Sequence, residues 1–262
     1  MSWIIEHAGL SDQGHERTVN EDRWCAVPER GLYIVADGMG GVAGGGLASE
    51  IIVETLPPLL RQRLADQHDL LAVSAQRKLT GSLVDLSRHM RNASAGEPGM
   101  DGMGSTVVVA VVRPPGTLIG HMGNSRAYLV RRGEVSRLTQ DHSLVNLLVV
   151  AGEITAAEAE THPSRGQVTR YVGMPADPLP EVRSLKVQSG DRLLLCSDGL
   201  TDMVSDEQLR RLLQSRGDDL RQTCRRLIDT ANAAGGRDNI AVVLISLWRH
   251  DDFIRLPRSS RV

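Results

Sequence analysis

Acidic residues stand at the ends of predicted strands, beside glycine or asparagine, in four places along this sequence. They are Glu21 with Asp22, Asp37, Asp198 and Asp238. A carboxylate at a strand end has a rigid support, and a following glycine lets a backbone carbonyl approach a ligand. If these carboxylates converge, their repulsion is costly, and a bound divalent cation is the usual remedy. Oxygen ligands without cysteine or paired histidine favour Mg²⁺ or Mn²⁺, and two such ions roughly 3.5–4 Å apart would activate water for phosphate-ester hydrolysis.

The spacing alone leaves other interpretations open. Asp-Gly pairs are common turn residues, so one pair does not predict a site, and the sequence does not prove that the four places meet in space. Arg17, taken without its neighbours, would be a solvated surface charge. The pattern Gly38-x-Gly40-x-x-Ala43 after an apolar strand also matches a relaxed dinucleotide-binding fingerprint. A second parallel strand should then follow the helix, but a second helical stretch at 70–90 takes that place, which disfavours a nucleotide-binding oxidoreductase.

The elements that must position these residues follow from hydrophobic periodicity and turn signals. Short apolar or alternating runs predict strands, and apolar residues near helical spacing predict helices. Strands are predicted at 3–10, 23–27, 31–36, 105–112, 117–122, 126–131, 135–138, 182–187, 192–196 and 240–247, and helices at 47–64, 70–90, 206–214 and 218–234. Pro57 and Pro58 are expected to interrupt or end the first helix. Strands in consecutive runs with helices grouped between them favour an α+β fold with antiparallel sheets, in which 105–138 forms a meander.

The composition excludes several classes of protein. The chain has 262 residues, 32 Asp and Glu against 30 Lys and Arg, and 41% hydrophobic residues, which is typical of a soluble globular domain. A net charge of −2 and an aromatic content of 3% argue against nucleic-acid binding. Three widely spaced cysteines form no metal or disulfide motif, and no signal peptide or membrane span is recognisable. We therefore expect a cytoplasmic protein without membrane insertion.

Seven short motifs, taken in order, carry a family resemblance. They are Arg17-x-x-Asn-Glu-Asp22, Asp37-Gly-Met-Gly-Gly41, Gly104-Ser-Thr106, Gly123-Asn-Ser-Arg-Ala-Tyr128, Asp141-His-Ser143, Ser197-Asp-Gly-Leu-Thr-Asp202 and Gly236-Arg-Asp-Asn-Ile240. The ordered set resembles the motif series of the PP2C-type (PPM) metal-dependent protein serine/threonine phosphatases in their bacterial form, over about residues 5–247. The resemblance implies an α+β fold, an αββα sandwich of two antiparallel sheets between helical layers. It predicts a phosphatase domain over 1–248 with a flap at about 141–175, followed by a frayed tail at 249–262.

The resemblance also implies the metal ligands. Asp37 would bridge two Mn²⁺ or Mg²⁺ ions, and the Gly38 carbonyl would bind one of them. Asp198 and Asp238 would complete the protein ligands of the first ion. Asn239 would not contact a metal itself but would orient the carboxylate of Asp238, as residues next to metal ligands often do.

Three further residues are assigned by the resemblance to the substrate side of the site. Asp22 and Glu21 would hold water molecules on the metals. Arg17 would bind the substrate phosphate, which suits a guanidinium because it pairs bidentately with phosphate oxygens. Hydrolysis would proceed by attack of a metal-activated water without a covalent enzyme intermediate.

The sequence departs from the family pattern in two places. Where the pattern usually reads Gly-Asp-Ser-Arg-Ala, this chain has Asn124 in place of the aspartate. That aspartate, with the position matching Asp202, helps to bind a third metal in many bacterial relatives, so we expect a third site to be weak here. Many relatives also carry a histidine after the Asp-Gly-Met-Gly-Gly segment, where this chain has Val42. A side-chain general acid from that loop is therefore not expected.

The predicted partners are phosphoprotein substrates. By family analogy, the chain would oppose a Hanks-type kinase and could act on a forkhead-associated-domain protein, as a monomer. A second hypothesis is a catalytically weak phosphoprotein-binding regulator of the same fold, which loss of the core ligands would indicate. Asp37, Asp198 and Asp238 are all present, which favours an active enzyme.

Overall fold

Two antiparallel sheets form the centre of this computed structural model, which describes residues 2–40, 44–95, 100, 102–214 and 219–254. The first sheet contains, in spatial order, β1 (Trp3–Asp12), β11 (Ile240–Arg249), β10 (Asp191–Cys196), β7 (Arg126–Arg131) and β8 (Glu134–Arg137). The second contains β2 (Asp22–Val27), β3 (Leu32–Met39), β5 (Val107–Arg113), β6 (Gly116–Met122) and β9 (Glu181–Lys186), with the short β4 (Gly104–Ser105) paired to the end of β3.

Helices cover both outer faces of the sandwich. Two long helices, α1 (Gly44–Arg63) and α2 (Val73–Ser94), pack on the second sheet, while α5 (Asp198–Thr201), α6 (Asp206–Gln214) and α7 (Leu220–Ala233) lie against the first. The segment predicted to be a flap, residues 141–175 and called the flap below, carries α3 (Leu144–Ala151) and α4 (Ala156–Thr161), and α8 (His250–Phe253) follows the last strand. The predicted αββα sandwich is confirmed. Within the described residues, no helix is both long and apolar enough to cross a membrane.

The alternation of side chains along β5 shows how the layers are held together. Val107, Val109 and Val111 pack with α1 and α2, whereas Val108 and Val112 pack between the two sheets. Successive strand residues point to opposite faces, so a strand covered on both faces must be apolar at every position. The continuous apolar run that predicted this strand has that physical origin.

Three expectations about the elements differ from the structure. The first helix runs through Pro57 and Pro58 without a break. The prolines lack the N–H groups that would donate to the carbonyls of Val53 and Glu54, and this part of the helix is reached by solvent, while Leu56 stays buried on the other face. The predicted meander is wrong, because the chain leaves the second sheet after β6 and enters the first at β7. A short helix, α5, begins directly at Asp198 and was not predicted.

The end of the chain also differs from the expectation. Strand β11 extends to Arg249, inside the segment predicted as a frayed tail, and the helical turn α8 follows it. Residues 255–262 of that tail lie outside the described residues. The same holds for Gly41, Val42 and Ala43, which follow the Asp37-Gly-Met-Gly segment, and for Asp218 at the predicted start of the last long helix.

Strand pairing places the acidic positions side by side. Asp22 at the start of β2 is the register partner of Asp37 in β3. Asp198 follows the end of β10, and Asp238 precedes the start of β11. Because β10 and β11 are antiparallel neighbours, the end of one strand lies beside the start of the other. Each sheet therefore supplies two aspartates at one end of the sandwich.

Candidate metal centre

The four aspartates predicted from strand ends come together in the structure. Asp37 lies in the electrostatic field of Asp22, Asp198 and Asp238, and burial together with those three charges raises its pKa well above the usual value. Like charges gathered in a poorly solvated place disfavour one another's ionised forms. The convergence that the sequence could not prove is therefore present.

Two of these carboxyls titrate near neutrality. Burial raises the pKa of Asp22 to about 7, and the charges of Asp198 and Asp238 act in the same direction. Burial, followed by the charges of Asp202 and Asp238, raises the pKa of Asp198 to about 7. A divalent cation would reverse these shifts because it compensates the negative charge.

Asp22 is buried and has one oxygen free. The hydroxyl of Ser197 donates to Asp22 Oδ2 at 2.6 Å, and the Ala241 N–H donates to the Ser197 oxygen at 2.9 Å. Asp22 Oδ1 has no hydrogen-bond partner among the described residues, although it is fully buried. A buried unpaired carboxylate oxygen is costly unless a ligand compensates it. Ser197 lies inside a quoted motif, but the sequence did not indicate its bond to a residue 175 positions away.

The backbone at Asp37 and Gly38 is held by residues of the β4–β5 segment. The Thr106 N–H and the Ser105 hydroxyl both donate to the Asp37 carbonyl, at 2.9 and 2.8 Å. Gly38 is required here because an added Cβ would lie 1.9 Å from the Gly45 carbonyl oxygen. The loop thus allows the close backbone approach that a carbonyl ligand needs.

Glu21 and Asn239 hold neighbouring segments in place. Glu21 Oε1 accepts the Gly46 N–H at 3.1 Å, so this carboxylate lies at the first turn of α1, where the helix dipole favours negative charge. The Asn239 side chain accepts the Glu21 N–H at 2.8 Å and donates to the carbonyls of Gln13 and Val19. Asn239 bonds the Asp238 carboxylate through its backbone N–H, at 2.8 Å, and not through its side chain. Its side chain supports the loop that carries Arg17 more directly than it supports Asp238.

Arg17 forms an ion pair with Asp238 at the open side of the cluster. The distance is 2.8 Å, and the two side chains are 52% and 38% exposed. Burial alone would lower the pKa of Arg17, but the charge and hydrogen bond of Asp238, with the charges of Asp37 and Glu21, raise it. An ion pair this exposed is weak and readily exchanged, so the guanidinium is available for a phosphate.

The two residues of the predicted third metal site are engaged with other side chains. Asn124 Nδ2 donates to Asp198 Oδ2 at 2.7 Å, and the buried Asn124 Oδ1 has no partner among the described residues. Asp202 accepts from the Arg165 guanidinium at 2.9 Å. Arg165 belongs to the flap, and no feature of the sequence pointed to this contact.

A second group of ligand-type side chains lies apart from the aspartates. Donor atoms of His121, His142 and Glu181 lie within 4.8 Å of one another. The two imidazole rings stack with centroids 4.4 Å apart and only 12° between their planes. A metal bond lies in the plane of its imidazole, about 2.0–2.1 Å from the nitrogen, so one ion cannot serve two parallel rings stacked in this way. We therefore do not assign a metal to this group.

Comparisons with known proteins agree with the geometry. The family model described as protein phosphatase 2C matches residues 12–244. The chain belongs to the protein phosphatase 2C family. The protein phosphatase PhpP of Streptococcus pneumoniae is 35% identical over 250 residues, which cover 94% of this chain and 99% of PhpP. This family membership removes the oxidoreductase alternative.

Solved structures of PP2C relatives have the same architecture. The serine/threonine phosphatase of S. agalactiae superposes with a TM-score of 0.83 at 32% identity, covering 93% of this chain and 99% of that one. The catalytic domain of the phosphatase PstP, in complex with two manganese ions, superposes with a TM-score of 0.75 at 32% identity, covering 95% of this chain and all of that one. The residues described above suit bound cations such as those in the PstP complex: raised carboxyl pKa values, an unpaired buried oxygen on Asp22 and a glycine that permits close approach.

Proposed function

We propose that this chain hydrolyses phosphoserine and phosphothreonine in proteins in a metal-dependent reaction. The observation that carries the proposal is the meeting of four aspartates from two sheets at one end of the sandwich, where burial and neighbouring negative charges raise the pKa values of Asp22, Asp37 and Asp198. Such a cluster is a poor structural element without a cation and a good ligand set with one. Membership of the PP2C family supports the same conclusion.

In this proposal, Asp37, the Gly38 carbonyl, Asp198 and Asp238 hold two divalent cations, Mn²⁺ or Mg²⁺. When bound, the cations supply Lewis acidity that lowers the pKa of water and compensates phosphoryl charge. The buried oxygen of Asp22 orients water at the site. The Glu21 carboxylate, which the family resemblance assigns to water, is partly committed to the first turn of α1.

Arg17 is the proposed phosphate-binding residue. Its guanidinium has an exposed partner, Asp238, and lies within the field of Asp37 and Glu21. A dianionic phosphate entering the open side of the site can replace Asp238 as the acceptor and take two parallel N–H donors. The side chain then orients the phosphoryl group for in-line attack, which is a positioning contribution.

The test is Mn²⁺-dependent hydrolysis of p-nitrophenyl phosphate and of a phosphothreonine peptide by wild type and Asp198→Asn. The substitution keeps the size of the side chain but removes one ligand charge, so we expect loss of nearly all turnover. Asp229→Asn, on the exposed face of α7, is the matched control and should retain activity. Near-wild-type turnover in Asp198→Asn would contradict the assignment of Asp198 as a metal ligand. Tight phosphoprotein binding by the wild type without turnover would favour the second hypothesis, a phosphoprotein-binding regulator of the same fold.

Substrate recognition is proposed for the flap. Leu147 and Val150 of α3 are 48% and 67% exposed, so this apolar helix can contact a protein substrate, as surface segments near active sites often do. The opposing Hanks-type kinase, a forkhead-associated-domain substrate, the monomeric state and the cytoplasmic location belong to the proposal. Three unpaired cysteines are compatible with a reducing compartment. Phosphoproteomics of deletion strains lacking the phosphatase or the kinase would test the pairing.

A further inference from the structure

His142 is 6% exposed and forms hydrogen bonds with both backbone polar groups of Gly123. Gly123 begins the loop of residues 123–125 between β6 and β7, which we call the metal-site loop. The His142 N–H donates to the Gly123 carbonyl at 2.9 Å, and the Gly123 N–H donates to His142 Nδ1 at 3.2 Å. Gly123 has φ +112°, and a Cβ at this position would lie 2.5 Å from Thr106 Cβ. The loop conformation at this point is therefore tightly determined.

The partners of the imidazole determine its tautomer. Because Nδ1 accepts a backbone N–H, the proton of the neutral ring must be on Nε2. Nε2 is buried without a hydrogen bond among the described residues, and Glu181 Oε2 is the charged group beside it, at 3.6 Å. The ring also stacks on His121, whose Nε2 bonds the Gln140 carbonyl at 2.8 Å. The ring is thus held in the orientation that presents Nδ1 to Gly123.

The clamped loop leads directly to the metal centre. Asn124, the next residue, donates to Asp198 Oδ2 at 2.7 Å. Ser125 shares a hydrogen bond of 2.6 Å with Thr106, whose N–H donates to the Asp37 carbonyl. A displacement of Gly123 would therefore move the amide that orients Asp198.

His142 also lies where the two ends of the flap meet. Its carbonyl accepts the Thr169 N–H at 2.8 Å, and the next residue, Ser143, forms an isolated bridge with Val168. One residue thus bonds the returning end of the flap through its carbonyl and the metal-site loop through its N–H and ring.

We propose that His142 is a positioning residue that connects the base of the flap to Asp198 through Gly123 and Asn124. The proposal rests on the proposed function in one respect, namely that Asp198 binds a metal. The required property is an acceptor at the place of Nδ1. Asparagine can supply an amide oxygen there, whereas glutamine places its amide one carbon farther out and leucine supplies no acceptor.

The experiment compares His142→Asn, His142→Gln and His142→Leu by calorimetric titration with Mn²⁺ and by kcat and KM for p-nitrophenyl phosphate. Loss of the acceptor should weaken Mn²⁺ binding about threefold to tenfold in the Gln and Leu variants, the range expected for one hydrogen bond. The Asn variant should stay within about twofold of wild type. His162→Leu is the matched control, because His162 Nδ1 also accepts a backbone N–H, from Ser164 at 3.1 Å, but it does not contact the loop.

A double-mutant cycle tests whether the effect passes through Asn124. If it does, adding His142→Leu to Asn124→Ala should change Mn²⁺ affinity little further, whereas independent effects would add. Wild-type Mn²⁺ affinity in folded Gln or Leu variants would overturn the proposal, as would equal losses in the Asn and Gln variants. If His142→Leu does not fold, the Asn–Gln comparison decides. Mn²⁺-dependent turnover in wild type with no effect of any His142 variant would reject this inference alone. Absence of Mn²⁺ binding in wild type would reject both proposals.

Discussion

The affinity for Mn²⁺ should fall steeply as the pH is lowered below 7. The proposed ligand Asp198 has a pKa raised to about 7, and that of Asp37 also lies well above its usual value. A metal ligand must be deprotonated, so protons compete with the cation. Lowering the pH from 8 to 5 is therefore a direct perturbation of the cluster that requires no mutation.

The size of the effect follows from the titration of these groups. A carboxyl with a pKa of about 7 is about half ionised at pH 7 and roughly 1% ionised at pH 5, so the need to release one proton weakens the apparent affinity about 50-fold between pH 7 and pH 5, and about 100-fold between pH 8 and pH 5. If Asp37 releases a second proton, the slope approaches about two log units per pH unit. The affinity should become constant once the pH exceeds the pKa values of all the ligand carboxyls.

Calorimetric titration with Mn²⁺ at intervals between pH 5 and pH 8 would measure this slope. Repeating each titration in two buffers with different ionisation enthalpies counts the protons released, and circular dichroism confirms that the metal-free protein is folded at pH 5. An affinity that does not change with pH, with no proton release at pH 6, would refute the placement of protonated carboxyls at the metal site.

Other substitutions test single contacts. Arg17→Ala should raise KM for a phosphothreonine peptide about tenfold, the value of one charge-assisted contact, and an unchanged KM in steady-state assays would count against phosphate binding. Asn124→Asp adds a ligand charge facing Asp198, so calorimetry should detect a tighter additional Mn²⁺ site; an unchanged stoichiometry and affinity would contradict our account of this position. Ser197→Ala removes the donor to the buried carboxylate of Asp22 and should lower the unfolding free energy of the metal-free protein by about 1–3 kcal/mol, measured by urea denaturation at pH 8. A smaller change at pH 8 than at pH 5 would indicate that this bond does not stabilise the ionised form.

The sequence predicted the strands well where burial determines composition. The run 105–112 is apolar at every position because β5 is covered by helices on one face and by the other sheet on the opposite face. Turn residues indicate that a chain reverses, but not which sheet it joins next, and the crossing between β6 and β7 was missed for that reason. The four-residue helix α5 is too short to produce a helical period.

The acidic positions of the site could be predicted because strand ends, glycines and the ordered motifs are local features. The contacts that orient them could not. Ser197 reaches Asp22 across 175 positions and Asn124 reaches Asp198 across 74. Arg165 lies in a flap without a distinctive pattern, and its pairing with Asp202 depends on how the flap folds back. Such contacts result from the tertiary arrangement and leave no periodic signal.

The nature of these contacts explains why the cluster suits a cation. The carboxylate of Asp22 is buried and that of Asp198 is partly buried. Their donors, the Ser197 hydroxyl and the Asn124 amide, are neutral, so each orients one oxygen without compensating the negative charge. The cationic Arg17 pairs with the exposed Asp238, and a phosphate can replace the Asp238 carboxylate as the acceptor of the Arg17 hydrogen bonds. The negative charges of the aspartates from the two sheets therefore repel one another. Asp22 and Asp198, whose folded-state pKa is raised from 3.8 to about 7, stabilise the metal-free fold at low pH. They lose that contribution as the pH rises through 7. At pH 8, a cation binding only the folded state at 100 times its dissociation constant would add about 2.7 kcal/mol. Metal binding and cohesion of the two sheets at this end of the sandwich are therefore coupled.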